Sequence, residues 1–162
     1  MGPIAGSPDL SETLSLRDLD LTVLAVDDEA ANLRVFEQIF QAFGARVVAA
    51  SGGQEALELL AARSFDLLLV DVHMPGMTGL ELVRLLRTSS FPSCEAPTIA
   101  VTADVYSYRR SEYLKLGFDD FLPKPVPVAL LVETSRKLVC ERRRTPRVIQ
   151  PGLFEPQRLA AG

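Results

Sequence analysis

The chain has 162 residues, 48% of them hydrophobic and 23% charged, with a formal net charge of −4. This is the composition of one globular domain with short flanks, and it does not announce a nucleic-acid binder. No apolar run reaches the length that crosses a bilayer.

The first residues, MGPIAGSPDL, have neither a basic block nor an apolar one, and Gly6 breaks the myristoylation pattern. Cys94 and Cys140 lie far apart, and with His73 as the single histidine they do not suit a zinc site. Free thiols in a reducing cytoplasm are the expectation. Residues 1–20 are polar and punctuated by Pro, Gly and Ser, and read as a flexible lead-in with a short helix within 10–18. TVLAV at 22–26 reads as a strand. Over 30–43, Leu33, Phe36, Phe40 and Phe43 share a helical face, closed by Gly44. ARVVA at 45–49 is the second strand. Ser51 to Gln54 has the spacing of a capping box opening a helix to about Arg63.

LLLV at 67–70 has no polar alternation, the mark of a strand buried on both faces. It runs into Asp71, and the chain then breaks through Pro75, Gly76 and Gly79. Thr78 and Glu81 form a second capping box, starting a helix to about Arg87. A strand at 97–101, a helix at 105–116 ended by Gly117, and a strand at 118–122 follow. The last helix, 127–140, takes Pro127 into its first turn. Within VYSYRRSEY (105–113), Tyr106 or Tyr113 is expected to pack inward, leaving Arg109 and Arg110 for solvent or a partner. Residues 141–162 carry five Arg against two Glu, and Pro146, Pro151 and Pro156 forbid a long helix. They read as a basic tail, with Arg142 to Arg144 as a solvated helix end. The compact domain is thus expected at 21–140.

Five βα units in strict alternation predict an α/β fold: a parallel, doubly wound, flavodoxin-like (βα)5 sheet in the order 2-1-3-4-5. An eight-stranded barrel would need about 250 residues. In such sheets, function gathers beyond the carboxyl ends of the strands. The first strand ends in Asp27 and Asp28, the third in Asp71, the fourth in Thr102, and Lys124 follows the fifth. Carboxylates brought together raise one another's pKa unless a cation intervenes. A hard divalent ion with oxygen ligands, Mg2+ or Mn2+ in its place, answers that need. Lys124 and Thr102 then suit the oxygens of a phosphoryl group, and a carboxylate beside them suits attack on phosphorus.

The set DD (27–28), DVHMPGMTG (71–79), VTAD (101–104) and LPKP (122–125) resembles the receiver domain of two-component response regulators. Each motif alone is weak; four in order at strand ends are specific. The resemblance spans roughly 21–140 and implies a phosphorylation-controlled signalling module rather than an enzyme with external substrates. It implies Asp71 as phosphoacceptor and Asp28 as the main metal ligand. Asp27 would ligate the metal or hold its water, and the backbone carbonyl of His73 would complete the protein's share. It implies Lys124 on the phosphoryl group, a cis Lys124–Pro125 bond, and Thr102 turning to the phosphoryl oxygen. Phe121 matches the switch aromatic, and the face of the fourth helix, fifth strand and fifth helix would change partners. His73 and Asp104 would flank the path of attacking water and tune dephosphorylation. The phosphodonor would be a histidine kinase or histidine phosphotransfer domain, with a downstream protein target and a monomer or phosphorylation-dependent dimer.

Plainer roles stand beside these: Asp27, Asp28 or Asp104 as helix caps, and Phe121 as ordinary core. The wording of VTADV and DVHMPGMTG is similar to receivers of hybrid histidine kinases, so both a stand-alone regulator and a hybrid-kinase receiver fit. Three other functions remain. A Mg2+-dependent phosphohydrolase of haloacid-dehalogenase type would need Asp where His73 stands. A flavodoxin-like nucleotide binder would not place the acidic VDDEAANL in its first loop. A pseudo-receiver signalling unphosphorylated would not need the full set of acids, Thr102 and Lys124.

Overall fold

The computed structural model describes residues 14–145. The strands are β1 (Thr22–Val26), β2 (Arg46–Ala50), β3 (Leu67–Asp71), β4 (Thr98–Thr102) and β5 (Asp120–Pro123). The helices are α1 (Ala30–Ala42), α2 (Gly53–Ala62), α3 (Gly79–Arg87), α4 (Arg110–Lys115) and α5 (Val128–Arg144). All strand pairs are parallel, in the order β2-β1-β3-β4-β5. This is the flavodoxin-like doubly wound sheet that the alternation predicts.

The two-residue period of the central strands sorts their side chains between two cores. Leu67 and Leu69 of β3 face Leu33, Phe36 and Phe40 of α1 and Leu131 and Val132 of α5. Leu68 and Val70 face Ala56 and Leu60 of α2, Leu82 and Leu86 of α3, and Tyr113 of α4. Every residue of β1, β3 and β4 is buried, as strands covered by helices on both faces require. Gly44 and Gly117 close α1 and α4 at φ +96° and +108°.

Several local expectations are corrected. The Ser51 box does not form: Gly52 caps α2 without a side chain, and Ser51 Oγ instead donates to Glu55 Oε2 at 2.9 Å. The second box forms in its forward half, with Glu81 N donating to Thr78 Oγ1 at 3.2 Å. The fourth helix begins at Arg110 rather than 105, because Asp104 Oδ1 accepts the backbone N–H groups of Tyr106 and Ser107 and holds a turn there. Pro127 is the N-cap of α5 rather than a first-turn residue. The helix runs to Arg144, past the expected end at 140, and Arg142 folds back onto Asp119 Oδ1 at 2.6 Å and onto the Glu95 carbonyl. The expected solvated end is therefore anchored at Arg142.

The end of the lead-in is also part of the packed structure. Leu14, Leu16 and Leu19 are buried, Arg17–Leu19 forms a 3-10 turn, and Arg136 of α5 makes a two-pronged pair with Asp18 at 2.8 Å. Residues 10–13 of the expected short helix, and the tail beyond 145, lie outside the described residues.

Candidate functional site

The parallel topology brings the carboxyl ends of β1, β3, β4 and β5 to one edge. Asp27, just past β1, is 1% exposed, and Asp71, the last residue of β3, is 6% exposed. Asp28 beside them faces solvent. Oxygen atoms of Asp27, Asp28 and Asp71 lie within 4.8 Å of one another. Lys124 Nζ donates to Asp27 Oδ2 at 2.9 Å and stands 3.5 Å from Asp71 Oδ1. Lys124 follows β5, and its own backbone N–H donates to the Thr102 carbonyl at 2.8 Å. The Lys124–Pro125 peptide is cis, as the motif implied.

Asp27 is held from three directions. Glu29 N donates to its Oδ1 at 2.9 Å, and Asn32 Nδ2 and Lys124 Nζ donate to its Oδ2. These bonds fix the chain at the entry to α1, but the expected helix cap does not form: Glu29 is the N-cap of α1 and no side chain caps it. Asp71 has less support: His73 N approaches its Oδ1 at 3.3 Å. Burial, and then the charge of Asp27, push the Asp71 carboxyl from 3.8 up to about 6, against the pull of Lys124 and the His73 N–H. Burial opposes the charge on Lys124, but its hydrogen bond to Asp27 and the charges of Asp27 and Asp71 hold its pKa above the ordinary value.

One ammonium does not balance three carboxylates. Three convergent oxygen donors, two of them buried and one already raised, fit a hard divalent cation. Gly79 closes the floor: a Cβ there would stand 2.3 Å from the Asp71 carbonyl, so a larger residue would push the β3–α3 loop off the site.

Thr102 ends β4 fully buried, and its Oγ1 accepts the Asp104 backbone N–H at 3.0 Å. That occupies an acceptor lone pair and leaves the hydroxyl proton to donate elsewhere. His73 and Asp104 meet across the mouth, Nε2 to Oδ2 at 3.5 Å. The hydrogen bond from Ser107, then the N–H groups of Tyr106 and Ser107, hold the Asp104 carboxyl down at about 2.

Asp27, Asp28, Asp71, Thr102 and Lys124 therefore come together as expected, with His73 and Asp104 at the rim. Phe121 does not join them. Its half-buried ring stacks on Tyr113, centroids 4.8 Å apart and planes 10° from parallel. Of the two tyrosines left open, Tyr113 is the inward one and Tyr106 is 93% exposed. Sequence reasoning missed Asn32, whose only signal was its place in the first turn after the acidic pair. It also missed Arg87, buried at 2% exposure and bonded to the Gly117 and Cys94 carbonyls, Thr98 Oγ1 and Asp119 Oδ2. Its spacing of four from the buried Val83 was the available sign.

The family model for the response regulator receiver domain matches residues 23–136. The chain is 33% identical to the sensor protein GacS of Pseudomonas syringae over 148 residues, covering 90% of this chain and 16% of that protein. It is 37% identical to the aerobic respiration control sensor protein ArcB of Escherichia coli K12, covering 72% of this chain and 15% of that one. It thus spans about a sixth of the length of these relatives. Among solved structures, a CheY-like receiver from Methanospirillum hungatei superposes with a TM-score of 0.71 at 27% identity, covering 77% of this chain and 98% of that one. The receiver domain of a sensor histidine kinase from Pseudomonas aeruginosa, crystallised with magnesium in its active-site cleft, gives 0.68 at 26% identity, covering 75% and 98%. No helix among the described residues is long and apolar enough to cross a membrane. With the sheet order, the strand-end acids and a family model over most of the fold, the chain belongs to the response regulator receiver domains of two-component signalling.

Proposed function

We propose that this receiver accepts a phosphoryl group on Asp71 from a phosphohistidine donor and changes its binding partner in consequence. The observation that carries this is Asp71 itself: a buried carboxylate at a strand end, with Lys124 3.5 Å from one oxygen and two further acids beside it. With a carboxyl at about 6, Asp71 is mostly ionised near neutrality and able to attack. One of its oxygens bonds to phosphorus as the phosphorus–nitrogen bond breaks, and the departing imidazole keeps the nitrogen electron pair and takes up a proton.

Asp28, Asp71 and the His73 carbonyl would hold Mg2+, with Asp27 as direct ligand or water holder. When bound, the ion neutralises charge on the acids and on the transferring group. Lys124 has a third N–H free of Asp27 and Asp71 to donate to a phosphoryl oxygen, and the Thr102 hydroxyl donates to another. His73 and Asp104 guard the mouth, where they bear on water reaching the acyl phosphate.

A groove of about 430 Å³ opens beside Lys124, lined by Val35, Phe36, Ile39, Pro125 and Val126. Val35 is 49% exposed there. An apolar trough next to the acceptor suits a helix of a histidine kinase or phosphotransfer domain carrying the donor. Exposed Val128 and Leu130 at the start of α5, with Leu114 and Leu116 at the end of α4, supply apolar area for the partner-switching face. The test is incubation with Mg2+ and a small phosphodonor, read by intact mass. One phosphoryl adduct is expected, absent in Asp71→Asn and without Mg2+. An undiminished adduct in Asp71→Asn would overturn the assignment.

A further inference from the structure

Tyr113 is fully buried, and among the described residues its hydroxyl is the buried side-chain polar atom without a hydrogen-bond partner. A buried hydroxyl left unpaired destabilises the state that contains it. The ring sits at the centre of an aromatic cluster: nearly parallel on Phe121, and edge-on to Phe118 and Tyr108 at 5.8 and 5.5 Å. Burial pushes the phenol pKa up, and the negative charge of Asp104 adds to it, so the 103–109 segment lies within electrostatic reach. That segment, between β4 and α4, has no regular structure. One of its ties to the sheet is the Asp104 N–H bond to Thr102 Oγ1.

We infer that Tyr113 is a positioning residue for Phe121: the two rings move as one unit, and the orphaned hydroxyl biases the switch away from its resting state. The inference rests on Phe121 being the switch aromatic and Thr102 the group that turns to the phosphoryl oxygen. When Thr102 turns, its bond to Asp104 is released and the 103–109 segment is free to rearrange over Tyr113. The rearranged segment brings an acceptor to the hydroxyl, and stacking carries Phe121 along. The resting state thus holds an unsatisfied donor that the switched state satisfies.

The test uses Mg2+ with beryllium fluoride, a phosphoryl mimic, as the probe. Tyr113→Phe keeps the ring and removes only the hydroxyl. It is expected to raise the Tm of the free protein and to weaken beryllofluoride binding about tenfold, since the resting state loses its penalty and the switched state loses a bond. A purely structural role would move Tm and leave that affinity unchanged. The Raman doublet of tyrosine adds a direct readout. The chain has three tyrosines, so Tyr106→Phe with Tyr108→Phe leaves Tyr113 alone. A phenol without a hydrogen bond at rest, and hydrogen-bonded once loaded, is expected. Equal affinity in Tyr113→Phe, or a hydrogen-bonded phenol already at rest, overturns the inference while the receiver reading stands. No beryllofluoride binding by the wild type overturns both.

Discussion

Asp71→Asn should stabilise the metal-free protein at neutral and higher pH, although it removes the proposed reactive group. The Asp71 carboxyl lies at about 6 in the fold against 3.8 ordinarily, because of burial and then the charge of Asp27. A raised acid means that the native state binds its proton more tightly than the unfolded chain does. Stability contributed by this group is therefore full below the lower value, falls as pH rises between the two, and levels off above the higher. At about 1.4 kcal/mol per pH unit, the gap amounts to about 3 kcal/mol of penalty for the ionised form. Asn replaces the charge with a neutral group of the same shape that still accepts the His73 N–H. Urea denaturation without divalent ions should show Asp71→Asn more stable than wild type by about 1–3 kcal/mol at about pH 8. The difference should shrink towards zero at about pH 3, below both values, where the Asp71 carboxyl is mostly protonated in the folded and the unfolded state alike. A variant that is less stable at about pH 8, or a difference independent of pH, would refute the reasoning.

Three further outcomes follow from the same geometry. Lys124→Met leaves buried Asp27 and Asp71 facing each other without their cation, and should cost about 3 kcal/mol without divalent ions, with Mg2+ restoring part of it in thermal denaturation. Mg2+ at about a hundred times its Kd should stabilise the wild type by about 2.7 kcal/mol, and Asp28→Asn should lose most of that gain with little change in the metal-free Tm. Arg87→Leu should cost about 3–5 kcal/mol, since it strips partners from two carbonyls and Thr98 at the far edge of the sheet. The protein that remains folded should still take up one phosphoryl group, and loss of uptake would show that the two edges are coupled.

The acids, Thr102 and Lys124 were legible because parallel topology leaves no choice: residues that end neighbouring strands share an edge. The five-unit alternation was equally readable, since β1, β3 and β4 are buried on both faces and cannot alternate in polarity. What escaped depends on contacts remote in sequence or on competition between local hydrogen bonds. Asp104 takes the N–H groups of Tyr106 and Ser107, so α4 starts five residues after the helical pattern begins. Glu55, rather than Gln54, engages Ser51. Arg142 extends α5 by reaching Asp119, and Asp18 ties the lead-in to Arg136, 118 residues away. Arg87 carries a charge where the helical face calls for an apolar residue, and only its partners, the Gly117 and Cys94 carbonyls, Thr98 and Asp119 among them, show why it is tolerated.

The central claim is that the phosphoryl group goes to Asp71 and to no other acid of the site. The most direct measurement is reductive trapping: the protein is treated with phosphodonor and Mg2+, reduced with borohydride, digested and mapped by mass spectrometry. Borohydride converts an aspartyl phosphate to homoserine and leaves free carboxylates alone. The account predicts homoserine at position 71, with Asp27 and Asp28 unmodified. Homoserine at either of those, or none anywhere in a protein that has gained phosphoryl mass, would contradict it.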